Sequence, residues 1–492
     1  MRPDKLKKFL GAAAVMAGVA IPLNLYAGVE IKVEIEGIAY QLTSDNEAHV
    51  IARSHLTGSY FPEDYNLIIP QSVEYQGETY TVTELKDVTE HGYSFGALTN
   101  EPIATLSLPS TIKEIGSLPE SNLPRLTSIT VDPENKRYRS VDGVLYSIRE
   151  DGSLEELLKY PQCKPGSIFD IPEGVTELHS LAFHSSMVNH INFPSSLTHI
   201  GPSFQWVHLD EIVLHEGITR LDEQAFEYVT CHAPLLIPES VKTIGRGCFW
   251  NTEGFSRVIF PSHVTEIGEE WFRSVDTDTI HIQPQIKKIC YLAFAGSKIR
   301  HFDLPYGIHT IEACAFAFCD SLREIKLPVE LTILENRVFW ECENLERVTM
   351  HNKIMTVKAA FEDCPALSDL YVYCVTPPEL DEECPLGYRD PEYFINRLGQ
   401  ITVHVLEGCG EAYRNSTWAK VGPIVEDLSS EVEDLPADGA ISSTETCTAY
   451  TLQGTVAAEG IPYGELREAL SPGIYIIRTA SGKTEKIRLE SI

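Results

Sequence analysis

The chain reads as an α/β to mainly β solenoid, built from coils of 21–23 residues on a parallel ladder of short strands. Three observations predict it. The stretch Phe302 to Leu345 is one unit written twice, with Pro305 and Pro328 spaced 23 apart and Phe316 and Phe339 spaced likewise. The proline slot recurs at Pro109, Asp132, Pro172, Pro194, His215, Pro238, Pro261, Gln283, Pro305, Pro328 and His351. A phenylalanine slot runs Phe183, Phe204, Phe226, Phe249, Phe272, Phe294, Phe316, Phe339, Phe361, in steps of 21 to 23.

Each slot has a physical reason. Apolar-x-apolar before the proline is a short strand with alternate residues inward. Proline ends it, because it has no N–H for the ladder and its φ is fixed. An Ile, Leu or Val four or five residues before each Phe, from Leu178 to Val357, packs inside. The Phe closes the opposite wall. Ordering one coil costs roughly 1–2 kcal/mol per residue of backbone. Its few buried side chains return about 1.5–3 kcal/mol each. One coil therefore cannot fold alone, and stacking with capped ends must close the gap.

Residues 1–27 have the form of a secretory signal, with Arg2, Lys5, Lys7 and Lys8 before a short apolar run ending at Ala27. Pro22 interrupts that run, and no later stretch is apolar enough for a membrane span. The formal charge is −32, and removing the signal brings it near −35. Such a charge argues against nucleic acid and anionic membrane as partners.

Residues 28–90 alternate at period two and form an N-terminal β cap, with Tyr75 to Tyr80 as a hairpin. The solenoid spans 91–373. An insert at about 138–160 carries the turn Asp142-Gly143 and is expected to project as a hairpin. Residues 374–425 form a C-terminal cap. Residues 426–445 hold seven acidic and no basic residues, a linker composition. Residues 446–492 return to β character as a small tail domain.

The unit L-x-x-I-x-L-P-x-x-L-x-x-I-x-x-x-A-F-x-x-C-x-x-L, clearest at Leu322 to Leu345, resembles the BspA-like leucine-rich repeats of bacterial surface proteins. The resemblance covers roughly residues 60–425 and includes the V-D-G-V-L-Y insert and Y-C-V-T-P-P. The sequence departs from it at His215, Gln283, His351 and Trp271. The tail, with Leu470-Ser471-Pro472-Gly473-Ile474-Tyr475, resembles the C-terminal sorting domains of type IX secretion substrates. These resemblances imply an exported, non-enzymatic recognition protein, a cell-surface adhesin that binds a host protein or a glycan. The other classes are a structural envelope protein and a secreted hydrolase with its site in the caps.

No H-E-x-x-H, G-x-S-x-G, P-loop or G-x-G-x-x-G occurs. His215-Glu216 and Cys231-His232 lack zinc-ligand spacing. Catalytic, metal and cofactor residues are therefore expected to be none. Cys319, Cys342 and Cys364 each follow a slot Phe by three, as free buried thiols would. Cys374, Cys384 and Cys409 are the disulfide candidates in an exported chain.

Two surfaces are candidates for a protein or glycan ligand. The outward strand face gathers Arg257, Ile259, His281, Arg300, His301, Arg323, Lys326, Arg347 and Tyr371, a basic strip in an acidic chain. Arginine there suits an acidic partner. The alternative is that these arginines pair with Glu324, Glu346 and Asp303 across adjacent coils. The second surface is an aromatic edge beside the Phe slot: Trp206, Tyr228, Trp250, Trp271, Phe318 and Trp340. Its alternative is packing between coils.

Overall fold

The computed structural model describes residues 31–52, 61–90, 93–255, 257–380, 386, 399–429, 446–451, 456–462, 466, 470, 473–479 and 484–489. The expected signal at 1–27 and Cys384 lie outside them. Two compact units divide the chain: Met1–Pro261 with Gly268–Thr277, and Ser262–Ile267 with Asp278–Ile492.

The first unit opens on a five-stranded sheet, Ile31–Ile35, Ile38–Leu42, Glu47–Ile51, Glu78–Lys86 and Ser72–Tyr75 in spatial order. Gln76 and Gly77, both at positive φ, turn the hairpin that pairs Tyr75 with Glu78. Between those strands, Tyr65–Ile68 pairs in parallel with Ile103–Leu108, which pairs in parallel with Ser128–Val131. Parallel pairing therefore starts within the stretch that the alternation marks as cap.

The insert differs from a projecting hairpin. Asp142 and Gly143 do turn Tyr138–Val141 back onto Val144–Ile148. A third strand, Leu154–Lys159, then pairs in parallel with Glu177–Leu178 and is stitched into the coils. Tyr160, completely buried, stacks on Phe183 at 5.2 Å and is the first rung of the aromatic column. Lys159 stands where other coils hold a small residue such as Ala182 or Ala225. Its ammonium is buried and donates to Pro119 O at 2.9 Å and Ser121 O at 2.6 Å. Burial pushes Lys159 down to about 8.

The coils carry two parallel ladders. In the first unit one joins Ile168–Asp170 to His190–Asn192 and Leu235–Leu236 to Val258–Ile259. The other joins His199–Ile200, Arg220–Leu221 and Thr243–Ile244. In the second unit the ladders run through Thr279–His281 and His301–Asp303, and through Glu266–Ile267, Lys288–Ile289 and Thr310–Ile311. The Ile/Leu slot thus does more than pack inside: it carries a two-residue strand of its own.

All nine slot phenylalanines are fully buried. Within the first unit Phe183, Phe204, Phe226, Phe249 and Phe272 stack at 5.2 to 6.1 Å with interplanar angles of 3° to 18°. Within the second, Phe294, Phe316, Phe339 and Phe361 stack at 5.4 to 5.7 Å. The residue two after each of the nine lies at positive φ, between 53° and 69°. Reversing direction that tightly needs a left-handed residue.

Cys319, Cys342 and Cys364 are free, buried thiols. They donate to Phe294 O, Phe316 O and Phe339 O, each one coil back, at 3.2, 3.1 and 2.9 Å. Two disulfide candidates need correction. Cys374 is a buried free thiol donating to His351 O at 3.2 Å, and Cys409 is also free. The Cys374 thiol points back at the preceding coil's carbonyls, as the ladder thiols do.

At its far end the second unit has a five-stranded parallel sheet, Glu324–Lys326, Arg347–Met350, Asp369–Val372, Thr402–Leu406 and Ile424–Leu428. Tyr413 and Trp418 are buried, Tyr413 Oη donating to Cys374 O at 2.7 Å and Trp418 Nε1 to Pro378 O at 2.8 Å. Glu426 and Asp427 belong to the edge strand, not to a linker, and charge on an edge discourages further pairing. Residues 446–489 contribute a separate four-stranded antiparallel sheet.

Candidate ligand-binding surfaces

On the first unit's strand face, Arg257 is exposed and Ile259 half-buried. Ile259 pairs with Leu236, which bridges to Val213, and both neighbours are exposed. Leu236 is hidden in the sequence because Leu235-Leu236-Ile237 is an unbroken apolar run, with no alternation to mark the outward residue. These three outward aliphatics lie on successive coils.

The basic strip of the second unit is cancelled by its neighbours. Arg347 Nη2 lies 2.9 Å from Glu324 and Nη1 3.2 Å from Glu346. Arg323 reaches Glu346 at 3.0 Å. Arg300 meets Asp278 at 3.4 Å, where the sequence suggested Asp303. All are exposed pairs worth about 0–1 kcal/mol each. His281, His301 and Lys326 are exposed on the same strands.

Tyr371 lies under His404, the rings 4.4 Å apart and 9° from parallel. His404 Nε2 is 3.1 Å from Asp369 and Nδ1 2.8 Å from Asp427. Burial alone would raise Asp369, but hydrogen bonds from Ser368 and His404 bring it below the usual carboxylate range. This cluster escaped the spacing argument because His404 and Asp427 come from the cap, where the period has decayed.

The aromatic edge separates into three kinds. Trp271 is buried and stacks on Phe260 at 5.4 Å, so it is core. Trp250 and Trp340 are each covered by a guanidinium, Arg273 at 4.8 Å and Arg337 at 5.0 Å. Trp206, Tyr228 and Phe318 occupy the left-handed slot two after Phe204, Phe226 and Phe316, at φ 62°, 57° and 60°. Phe318 leans on Trp340 at 4.7 Å. Trp206 and Tyr228 stack on each other at 4.2 Å and 17°. Trp206 is 58% exposed despite that contact.

Among the described residues no helix is long and apolar enough to cross a membrane. No curated protein matches the chain. Among solved structures it is similar to a leucine-rich repeat protein from Bacteroides ovatus, 19% identical, covering 70% of this chain and 72% of that one, TM-score 0.37. The pneumococcal vaccine antigen PcpA is 15% identical, covering 81% and 99%, TM-score 0.38. A leucine-rich repeat protein from Eubacterium ventriosum is 16% identical, covering 69% and 96%, TM-score 0.29. The family model for the BspA type leucine rich repeat region matches residues 160–277 and 242–368, in six copies. Its first match begins at Tyr160, the first rung of the aromatic column. Residues 160–368 are BspA-type leucine-rich repeats.

Proposed function

We propose that the chain is an exported, non-catalytic recognition protein that holds a protein or glycan ligand on its exposed coil surface at the cell surface. One observation carries this reading. Two large aromatic rings, Trp206 and Tyr228, are stacked at the surface on backbone that disfavours large side chains. A bulky residue in the left-handed region costs about 1–2 kcal/mol. Breaking a local rule where stability gains little is the mark of a functional position. Basic residues before the apolar run to Ala27 support export, and the tail's likeness to type IX sorting domains supports surface delivery.

The strand face of the second unit ranks below this site. An acidic partner there has to displace Glu324, Glu346 and Asp278 from their arginines. The test is a binding screen of the full secreted chain against oligosaccharides and host matrix proteins. Mass analysis of the exported protein should find cleavage near residue 27. Deleting residues 446–492 should keep it from the surface. Hydrolysis of a screened ligand, or unchanged delivery without the tail, overturns the corresponding part.

A further inference from the structure

We infer that Trp206 and Tyr228 form a stacking platform for a pyranose ring of a neutral glycan; this rests on the recognition reading above and specifies its ligand. In the other coils the position two after the Phe holds Ser185, Asn251, Ser274, Gly296, Glu341 or Asp363, apart from Phe318. Glycine, asparagine and aspartate take left-handed backbone most readily, and aromatic residues take it at a cost. Trp206 and Tyr228 break that pattern on two adjacent coils, with Trp206 N–H donating to Tyr228 O at 3.1 Å.

Neither ring serves the core. Phe204 and Phe226, two residues earlier, already fill the interior. The nearby aromatics are unavailable, since Trp271 is buried and Arg273 lies over Trp250. What remains is two near-parallel rings stacked face to face, Trp206 with more than half its surface in water.

The residues just before the two rings add polar groups. Gln205 Nε2 donates to Glu227 Oε2 at 2.6 Å, and Glu227 is buried. Burial raises the Glu227 carboxyl above its usual range, the Gln205 bond opposing it. The exposed aromatic face suits a sugar: the pyranose ring's C–H face meets the negative face of the indole. The patch is the exposed surface of one stacked pair of rings, whereas a stable protein interface needs roughly 800 Å² per partner. A chain of net charge −32 disfavours sialylated or sulfated glycans. These points select a neutral glycan.

The experiment titrates the full secreted chain with cellohexaose, maltohexaose and linear mannohexaose by calorimetry, with a heparin hexasaccharide and sialyllactose as anionic probes. Trp206→Asn removes the ring and suits the left-handed backbone, so the fold survives it. At least one neutral hexasaccharide should bind. Trp206→Asn should weaken it by about tenfold or more, with unchanged or higher thermal stability. Trp250→Phe and Trp340→Phe should leave affinity within about twofold. Neutral binding that survives Trp206→Asn overturns the platform and leaves the recognition reading standing. So does binding of anionic probes alone, or of a matrix protein alone. A wild-type chain that binds no oligosaccharide and no matrix protein overturns both.

Discussion

The thiol of Cys342 donates to the carbonyl oxygen of Phe316, one coil back, over 3.1 Å. The same bond joins Cys364 to Phe339 and Cys319 to Phe294. The cysteine thus holds the backbone of the preceding Phe turn, which has no strand partner at that oxygen. Burial pushes Cys364 up to about 12 and Cys342 well above the usual thiol range. Cys342 and Cys364 should resist iodoacetamide in the native protein and react once it is denatured, since the thiolate is the nucleophile. Cys342→Ala should cost about 1–3 kcal/mol from the lost bond and the small cavity. Peptide mapping and denaturant titration check both statements.

Phe316 has a parallel ring on each side, Phe294 at 5.4 Å and Phe339 at 5.7 Å. Phe316→Ala should destabilise by about 3–5 kcal/mol. A loss under about 1 kcal/mol by denaturant titration would mean that the column is not the core.

His351 replaces the slot proline, and burial, aided by Lys326, pulls its imidazole down to about 4. An unfolded histidine titrates near 6.5. Between those values the unfolded chain takes up the proton that the folded chain refuses. Stability should therefore fall as pH drops from about 6.5 to about 4, by about 3 kcal/mol from this group. His351→Gln should flatten that part of the curve, measured against wild type in paired denaturant titrations.

Lys159 gives the opposite end of the pH range. Its folded value of about 8 lies below the ordinary lysine value near 10.4. Between the two, the folded chain sheds a proton that the unfolded chain keeps. Stability should rise with pH across that window, and Lys159→Met should remove the rise. Thermal unfolding of both proteins at pH values on either side of about 9 tests it.

The period, the proline and phenylalanine slots and the buried thiols were legible in the sequence because each repeats one side-chain type at one spacing. The second ladder was not, since strands such as Arg220–Leu221 are too short to show alternation. Tyr160 hid because its neighbours abandon the other slots: Lys159 replaces the alanine and the insert replaces the strand. The Arg347–Glu324 and Arg323–Glu346 pairs lie 23 residues apart, one coil, so the period alone suggested them. The separation of the aromatic edge was illegible, because a tryptophan one residue from the slot and one two residues from it look alike in sequence. Only the backbone angle tells them apart.

The left-handed slot after each Phe also limits how far an aromatic surface can spread along this fold. Each ring placed there costs about 1–2 kcal/mol of backbone strain. Each new stacked pair returns about 0.5–1.5 kcal/mol. Lengthening the run through Ser185 or Asn251 therefore returns little at each step. A scaffold that could in principle display a ring on every coil is confined by its own turn geometry to short, isolated aromatic islands, and any recognition that relies on them stays local.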